Sequence, residues 1–449
     1  MDRIYLDNAA TTPVRCEVLE AMVPYFTDKY GNPSSIHSFG REVRRDIDLA
    51  RERVAAAIGA SPEEIVFTAG GSEADNMAIK GTALAVLGRK KHVITSAVEH
   101  HAVLETVESL KQLGFAVTVV GVDADGLVDP EDVRRAIRPD TFLVSVMHAN
   151  NEIGTIQPIE AIAAIAHEAG VLFHTDAVQS VAHIPVDVHA MGIDMLSLSG
   201  HKFYAPKGVG ALYIRRGLRI SPLVHGGAQE RKRRAGTENV AGIVGMGVAI
   251  ELASAEMDAM AAHERELRDM LISGLEQRIP YVKLNGHRTQ RLPNNVNMSF
   301  LYVEGESLLL NLDMFGIAAS SGSACTSGSL EPSHVLMALG MPHEVAHGSV
   351  RMTLGRYTTR ADIDRVLDVM PGIVAKLREM SPVYEKTACG MKETCANAHA
   401  CDVAPASSSS CSCSGSCERT NQRMRTGLRG TDPLSTAADR RFRNCTTIR

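Results

Sequence analysis

Met195-Leu196-Ser197-Leu198-Ser199-Gly200-His201-Lys202 begins as a short, largely apolar run and breaks abruptly into small and polar residues, ending on a histidine and a lysine. Its first four residues have the length and character of a buried strand. Six further runs of the same kind surround it, at 65–68, 92–96, 116–122, 141–146, 171–174 and 210–214. Longer helical patterns fall between them. One opens at Ser72-Glu73, with an N-cap type residue and an acid in the first turn; another, over 158–169, is led by Pro158. Short strands alternating with helices predict an α/β domain built on a mostly parallel sheet covered on both faces. A long mixed-charge helix over 245–278 then leads into a smaller α+β domain, with a strand at 295–300, a helix at 307–315 and the segment 351–374. The expected division is an arm over 1–14 that packs with the small domain, a large domain over 15–255, a small domain over 256–384 and a tail over 385–449.

The 449 residues carry a formal charge of −5, a sequence pI near 6.4 and 45% hydrophobic residues. That is enough chain for a large core and a smaller companion. The balance of charge gives no pull toward nucleic acid or an anionic membrane, and neither is an expected partner. Met1-Asp2-Arg3-Ile4-Tyr5-Leu6-Asp7 shows no basic stretch before an apolar core, and no apolar run is read as a membrane span. A cytoplasmic enzyme of small-molecule chemistry is expected. Of nine cysteines, only Cys16 and Cys325 precede residue 389. Thiols so sparse are expected to be reduced, which makes a lone cysteine in a polar loop a candidate nucleophile.

Ligands of open α/β sheets sit beyond the carboxyl ends of the strands, so polar residues just after strand runs mark the chemistry. Phe67-Thr68 leads into Ala69-Gly70-Gly71-Ser72 and then a helix, a glycine turn offering backbone N–H groups and a hydroxyl to an anion. The run at 171–174 ends in Thr175-Asp176-Ala177-Val178-Gln179, with an acid at the sheet end. Lys202 follows the strand at 195–198 on the same rim. Pyridoxal phosphate requires a lysine to bond its aldehyde, a carboxylate to keep the pyridine nitrogen protonated, and anion donors for its phosphate. Lys202, Asp176, and Gly71-Ser72 with Ser199 and His201 supply all three.

The motifs that carry a wider resemblance run from Tyr5-Leu6-Asp7-Asn8-Ala9-Ala10-Thr11-Thr12-Pro13 through Gly31-Asn32-Pro33-Ser34-Ser35, Glu99-His100-His101, Asn150-Asn151-Glu152-Ile153-Gly154 and His174-Thr175-Asp176-Ala177. They continue with Ser199-Gly200-His201-Lys202, Arg234-Ala235-Gly236-Thr237-Glu238-Asn239, Ser320-Ser321-Gly322-Ser323-Ala324-Cys325-Thr326-Ser327, Arg351 and Gly355-Arg356. Over about residues 1–384 the chain resembles the NifS/IscS-type cysteine desulfurases, class V and fold-type I pyridoxal-phosphate enzymes. The resemblance implies that His100 stacks on the pyridine ring and shuttles protons, that Asn151 and Gln179 bond its phenolic oxygen, and that Asp176 pairs with its nitrogen. It also implies that Gly71, Ser72, Ser199 and His201 hold the phosphate, joined by Thr237 from the other subunit of a homodimer. Arg351 is expected to grip the substrate carboxylate, a task suited to a planar guanidinium, and Asn8 to line the same cleft.

Cys325 stands among small and hydroxyl residues that cannot fill a core, as a mobile thiol nucleophile would. The expected reaction converts L-cysteine to L-alanine and leaves the sulfur as a persulfide on Cys325, for an iron–sulfur scaffold or another acceptor, in general or nitrogenase-directed cluster assembly. The only metal contact expected is a transient one between Cys325 and an iron–sulfur centre. Selenocysteine lyase or cysteine-conjugate lyase activity is the alternative within the enzymes, and a sulfur or metal carrier scaffold acting through the tail is the alternative outside them. His343-Glu344-Val345-Ala346-His347 spells a zinc-protease pattern, but Gly348 ends its helix at once and no third ligand follows. Arg231-Lys232-Arg233-Arg234 lacks interleaved aromatics and reads as a solvated face. The tail, with Cys389, Cys395, Cys401, Cys411, Cys413 and Cys417 and a serine run, has too little apolar content for a core and is expected to be disordered.

Overall fold

Strands whose Val, Ile, Leu and Phe point to both faces are stable only with cover above and below, and in this computed structural model they gather into one seven-stranded sheet. Numbered along the chain, the strands are β1 (Ile4–Tyr5), β2 (Ile65–Thr68), β3 (His92–Ser96), β4 (Ala116–Val120), β5 (Thr141–Ser145), β6 (Leu172–Asp176), β7 (Met195–Ser199), β8 (Gly210–Ile214), β9 (Val282–Leu284), β10 (Asn295–Phe300), β11 (Ile317–Ala318) and β12 (Ser349–Thr353). The large sheet has the order β2-β8-β7-β6-β5-β3-β4. β8 runs antiparallel to both its neighbours, and the other pairs are parallel. The structure describes residues 3–321, 331–382 and 384; the tail over 385–449 lies outside them.

Strand ends differ from the sequence reading where pairing overrides hydrophobicity. β6 extends to Asp176 because Thr175 and Asp176 pair with Leu196 and Ser197 of β7. Two polar residues are thereby carried into the sheet's buried carboxyl edge. The helix expected from Ser72 begins one residue earlier, as Gly71–Ala85, with Gly70 at its N-cap and no side-chain cap. A Cβ on Gly71 would lie 2.7 Å from Val178 Cγ2, so any other residue there would force Val178 to shift.

The second sheet is antiparallel, β12-β10-β9, and β1 runs parallel to β11 beside it. Ile4 and Leu6 of the amino-terminal arm join the core of Val296, Met298, Phe300, Val350 and Met352. The expected segment 351–374 divides into β12 and the helix Arg360–Glu379, and the helix expected at 307–315 spans Gly305–Met314. The long helix covers Val240–Arg278, starting earlier than expected because the Asn239 side chain accepts the Gly242 N–H at 3.1 Å. Its early residues, Ala241, Ile243, Met246 and Ile250, sit in the large-sheet core. Leu267, Leu271 and Leu275 sit in the small-sheet core. By length and composition this helix qualifies as a membrane span, which the sequence reading passed over, yet it lies against the helix Ser38–Ala57 with much of its surface buried. Arg3–Arg378 form one compact unit. His343 and His347 meet edge to face with ring centroids 4.5 Å apart, and no set of three metal-ligating side chains is grouped among the described residues.

Glu264, in the middle of the long helix, is buried with neither carboxylate oxygen hydrogen-bonded, and burial pushes its pKa up to about 8. Its unfolded value is near 4.5, so the native state holds an extra proton between those values and loses stability as pH rises through that window. Glu264→Gln is expected to flatten that decline by up to about 1.4 kcal/mol per pH unit. Thermal unfolding of both proteins from pH 5 to 9 checks it; parallel curves contradict it.

Candidate active site

The carboxyl ends of β6 and β7 and the start of the helix Gly71–Ala85 converge on a cavity of 270 Å³. Gly71 and Ser72 form one wall, Asp176, Val178 and Gln179 the floor, and Ser199, His201 and Lys202 another wall. His100, Met147, Asn151 and Arg351 close the remaining side. The amino-terminal arm supplies the carbonyls of Ala9 and Ala10, which accept hydrogen bonds from Lys202 Nζ at 2.6 and 2.9 Å. Gln179 Nε2 also donates to the Ala9 carbonyl at 3.0 Å. His201 Nδ1 lies 3.2 Å from Thr11 Oγ1.

Asp176 Oδ1 accepts the Val178 N–H at 2.9 Å. Burial pushes its pKa up to about 6, with that hydrogen bond and the Lys202 charge holding it from going higher. Burial brings His100 down to about 4, helped by Lys202, so its ring is neutral near pH 7. His100 Nδ1 accepts the Ala102 N–H at 3.1 Å, capping the helix His101–Lys111, and the ring proton is therefore assigned to Nε2. In this arrangement the ring is a donor; it takes a proton only by giving up its cap. Arg351, itself buried, donates to the Asn151 carbonyl and to Asp7 Oδ1, each at 3.0 Å. The guanidinium is thereby fixed at the cavity edge.

One expected residue is missing from the lining of this cavity. Asn8 does not line it: its amide donates to the Thr353 carbonyl at 2.9 Å, tying the arm to β12, and its neighbours Ala9 and Ala10 face the cavity instead. Thr237 lies in a separate 190 Å³ cavity with Thr68, Ala69 and Arg234. Cys325 falls outside the described residues, and with it the expected iron–sulfur contact. The sequence reading also missed acids. Asp75, one turn after Gly71 on the same helix face, lines the cavity, is buried with Oδ1 accepting no hydrogen bond and lying 3.8 Å from His174 Nε2, and is pushed well above the usual carboxylate range by burial and by Asp176. Glu99 accepts from Ser96 Oγ at 2.5 Å and from the Met147 N–H at 2.9 Å, and burial pushes its pKa up to about 8. The i,i+4 spacing from Gly71 was the available signal for Asp75.

This donor set fits pyridoxal phosphate. A glycine cradle stands at a helix N-terminus, a buried carboxyl lies opposite, and an amine projects into the space between them. The sequence from residue 4 to residue 366 matches the aminotransferase class-V family. The chain is 61% identical over 383 residues to cysteine desulfurase IscS of Dictyoglomus turgidum, covering 85% of this chain and 97% of that one. A solved NifS-like protein matches with a TM-score of 0.79 at 41% identity, over 84% of this chain and 100% of that one. The solved structure of SspA in complex with cysteine matches with a TM-score of 0.71 at 41% identity, over 79% and 100%. The chain belongs to the class-V aminotransferases, among the NifS/IscS-type cysteine desulfurases.

Proposed function

We propose that this protein is a pyridoxal-phosphate-dependent cysteine desulfurase that converts L-cysteine to L-alanine and passes the sulfur on through Cys325 for iron–sulfur cluster assembly. The observation that carries the reading is the meeting of Lys202, Asp176 and His100 in one cavity with the glycine turn at Gly71. The cofactor, when bound, supplies an electron sink for the substrate carbon bonded to it. Lys202 holds it and carries the proton between substrate and cofactor. Asp176 keeps the ring nitrogen charged, and Gly71, Ser72, Ser199 and His201 take the phosphate. Asn151 and Gln179 face the ring oxygen. His100 would stack on the ring, and it takes the proton of the substrate thiol only when Nδ1 gives up the Ala102 N–H.

Cys325, as a thiolate, attacks the substrate sulfur. The new S–S bond forms as the substrate C–S bond breaks, its electron pair stays with the substrate carbon, and a proton from the protein completes alanine. The persulfide sulfur then leaves to a scaffold protein or another acceptor. The protein works as a homodimer in the cytoplasm, and Thr237 completes the partner subunit's phosphate site, a role consistent with its absence from the cavity of its own chain. We divide the chain into an arm over 1–14, a large domain over 15–255, a small domain over 256–384 and a tail over 385–449, a reading supported by the separate packing of large-sheet and small-sheet residues. Cysteine labelled with ³⁵S tests the sulfur step: label recovered on the Cys325 peptide supports it, and label retained in Cys325→Ala with unchanged alanine release overturns it.

Arg351 grips the substrate carboxylate with two parallel donors. Arg351→Lys keeps the charge and loses the fork, so KM for L-cysteine is expected to rise about tenfold or more, with kcat falling less. Steady-state kinetics read the split. An unchanged KM contradicts the assignment.

A further inference from the structure

The backbone of Glu230, Arg231 and Lys232 is left-handed at three consecutive non-glycine residues, with φ of 44°, 56° and 66°. L-residues rarely adopt this conformation singly, and a run of three persists only where the surroundings impose it. The imposing contact is visible. The Glu230 carboxylate is buried and receives Arg51 in a two-pronged pair, Nη2 to Oε1 at 2.7 Å and Nη1 to Oε2 at 2.8 Å. Oε2 also accepts the Phe67 N–H at 3.0 Å, and Arg51 Nη1 donates to the Ile65 carbonyl at 2.8 Å. Both of those backbone groups belong to β2, the strand that runs directly into Ala69-Gly70-Gly71.

A second pair joins the same two segments. Arg234 grips Glu73 with Nε to Oε1 at 2.8 Å and Nη2 to Oε2 at 3.2 Å, and Glu73 Oε2 accepts the Ala69 N–H at 2.8 Å. The segment from Glu230 to Thr237 is thus strapped to the glycine turn at two points, and the 190 Å³ cavity holding Thr237 lies between them. Neither Arg51 nor Glu230 lines the larger cavity, so any effect on ligand binding reaches it through the turn.

We propose that Arg51 and Glu230 are positioning residues for the phosphate end of the cofactor, their buried pair fixing the left-handed run that leads to Thr237 against the glycine turn at Gly71. This rests on the phosphate site proposed above. A buried charge pair suits the task because two planar groups joined by parallel hydrogen bonds admit one geometry, where an apolar contact would let the turn slide.

The test compares pyridoxal 5′-phosphate with pyridoxal, which differs only in lacking the phosphate, by absorbance titration of full-length protein stripped of cofactor. In Glu230→Gln the preference for the phosphorylated compound, the ratio of the two Kd values, is expected to fall about tenfold or more, with pyridoxal binding changed less than about twofold. Loss of both affinities in proportion would mean a general structural role and overturn the proposal, as would an unchanged ratio. Removing one member of a buried pair leaves an uncompensated charge and endangers the fold. The double variant Arg51→Met/Glu230→Met removes both charges and is expected to show the same selective loss; a retained preference there overturns the proposal. If the unaltered protein itself does not prefer the phosphorylated compound, the phosphate site fails, not the strut.

Discussion

Lys202→Ala is expected to lower alanine release from L-cysteine by about 10³-fold or more, with the protein still folded. The side chain projects from the turn after β7 into the cavity, where it is held by the Ala9 and Ala10 carbonyls, and it belongs to none of the hydrophobic cores. Its removal takes away the covalent anchor of the cofactor and the proton carrier together. The structural cost includes the two hydrogen bonds to the Ala9 and Ala10 carbonyls, about 1.5–3 kcal/mol each. Alanine assay and thermal unfolding on one preparation separate the two effects. Substantial turnover in the folded variant contradicts the role of Lys202.

Asp176→Asn is the second large effect, with a loss on the order of 10²–10⁴-fold in kcat. Asparagine keeps the shape and can still accept the Val178 N–H, so only the charge is removed. The charge is also what makes activity depend on pH. With its pKa raised to about 6, Asp176 is ionised above that value and neutral below it, and turnover is expected to fall as pH drops through about 6. The same shift costs stability: the native state keeps the proton from near the usual 3.8 up to about 6, so the penalty sets in across that window and is full above it. Asparagine removes that penalty. The variant is therefore expected to be at least as stable as the parent at pH 7 and far less active, a trade common at functional sites. A variant that loses stability and activity together would assign Asp176 to structure.

Much of this was legible in the sequence because the chemistry follows strand ends. Lys202, Asp176 and Gly71 each follow an apolar run, and a parallel sheet brings the carboxyl ends of its strands to one rim. What the sequence hid was direction. Asn8 sits in a motif beside two cavity residues, yet its amide points to β12, next to the bridge between Asp7 and Thr353. Asp75 lies two residues after Glu73 on its helix, and only the folded sheet shows that it shares the cavity with Asp176. The apolar start of the helix Val240–Arg278 is uninformative by composition, since a core helix and a membrane span draw on the same residues; the packing of Met246 and Ile250 decides between them. The left-handed run at Glu230 has no sequence signal at all, because none of its residues is glycine or asparagine.

The central claim is that one cavity holds a lysine-bonded pyridoxal phosphate and removes sulfur from cysteine, and a single cuvette tests it. The visible absorption spectrum of the purified protein is recorded beside that of Lys202→Ala, L-cysteine is added, and alanine and sulfide are measured under reducing conditions. A visible band that is altered in the variant, with alanine and sulfide released in equal amounts by the unaltered protein only, is the predicted result. A colourless protein that cannot be reconstituted with pyridoxal phosphate, or one that consumes cysteine without forming alanine, would contradict it.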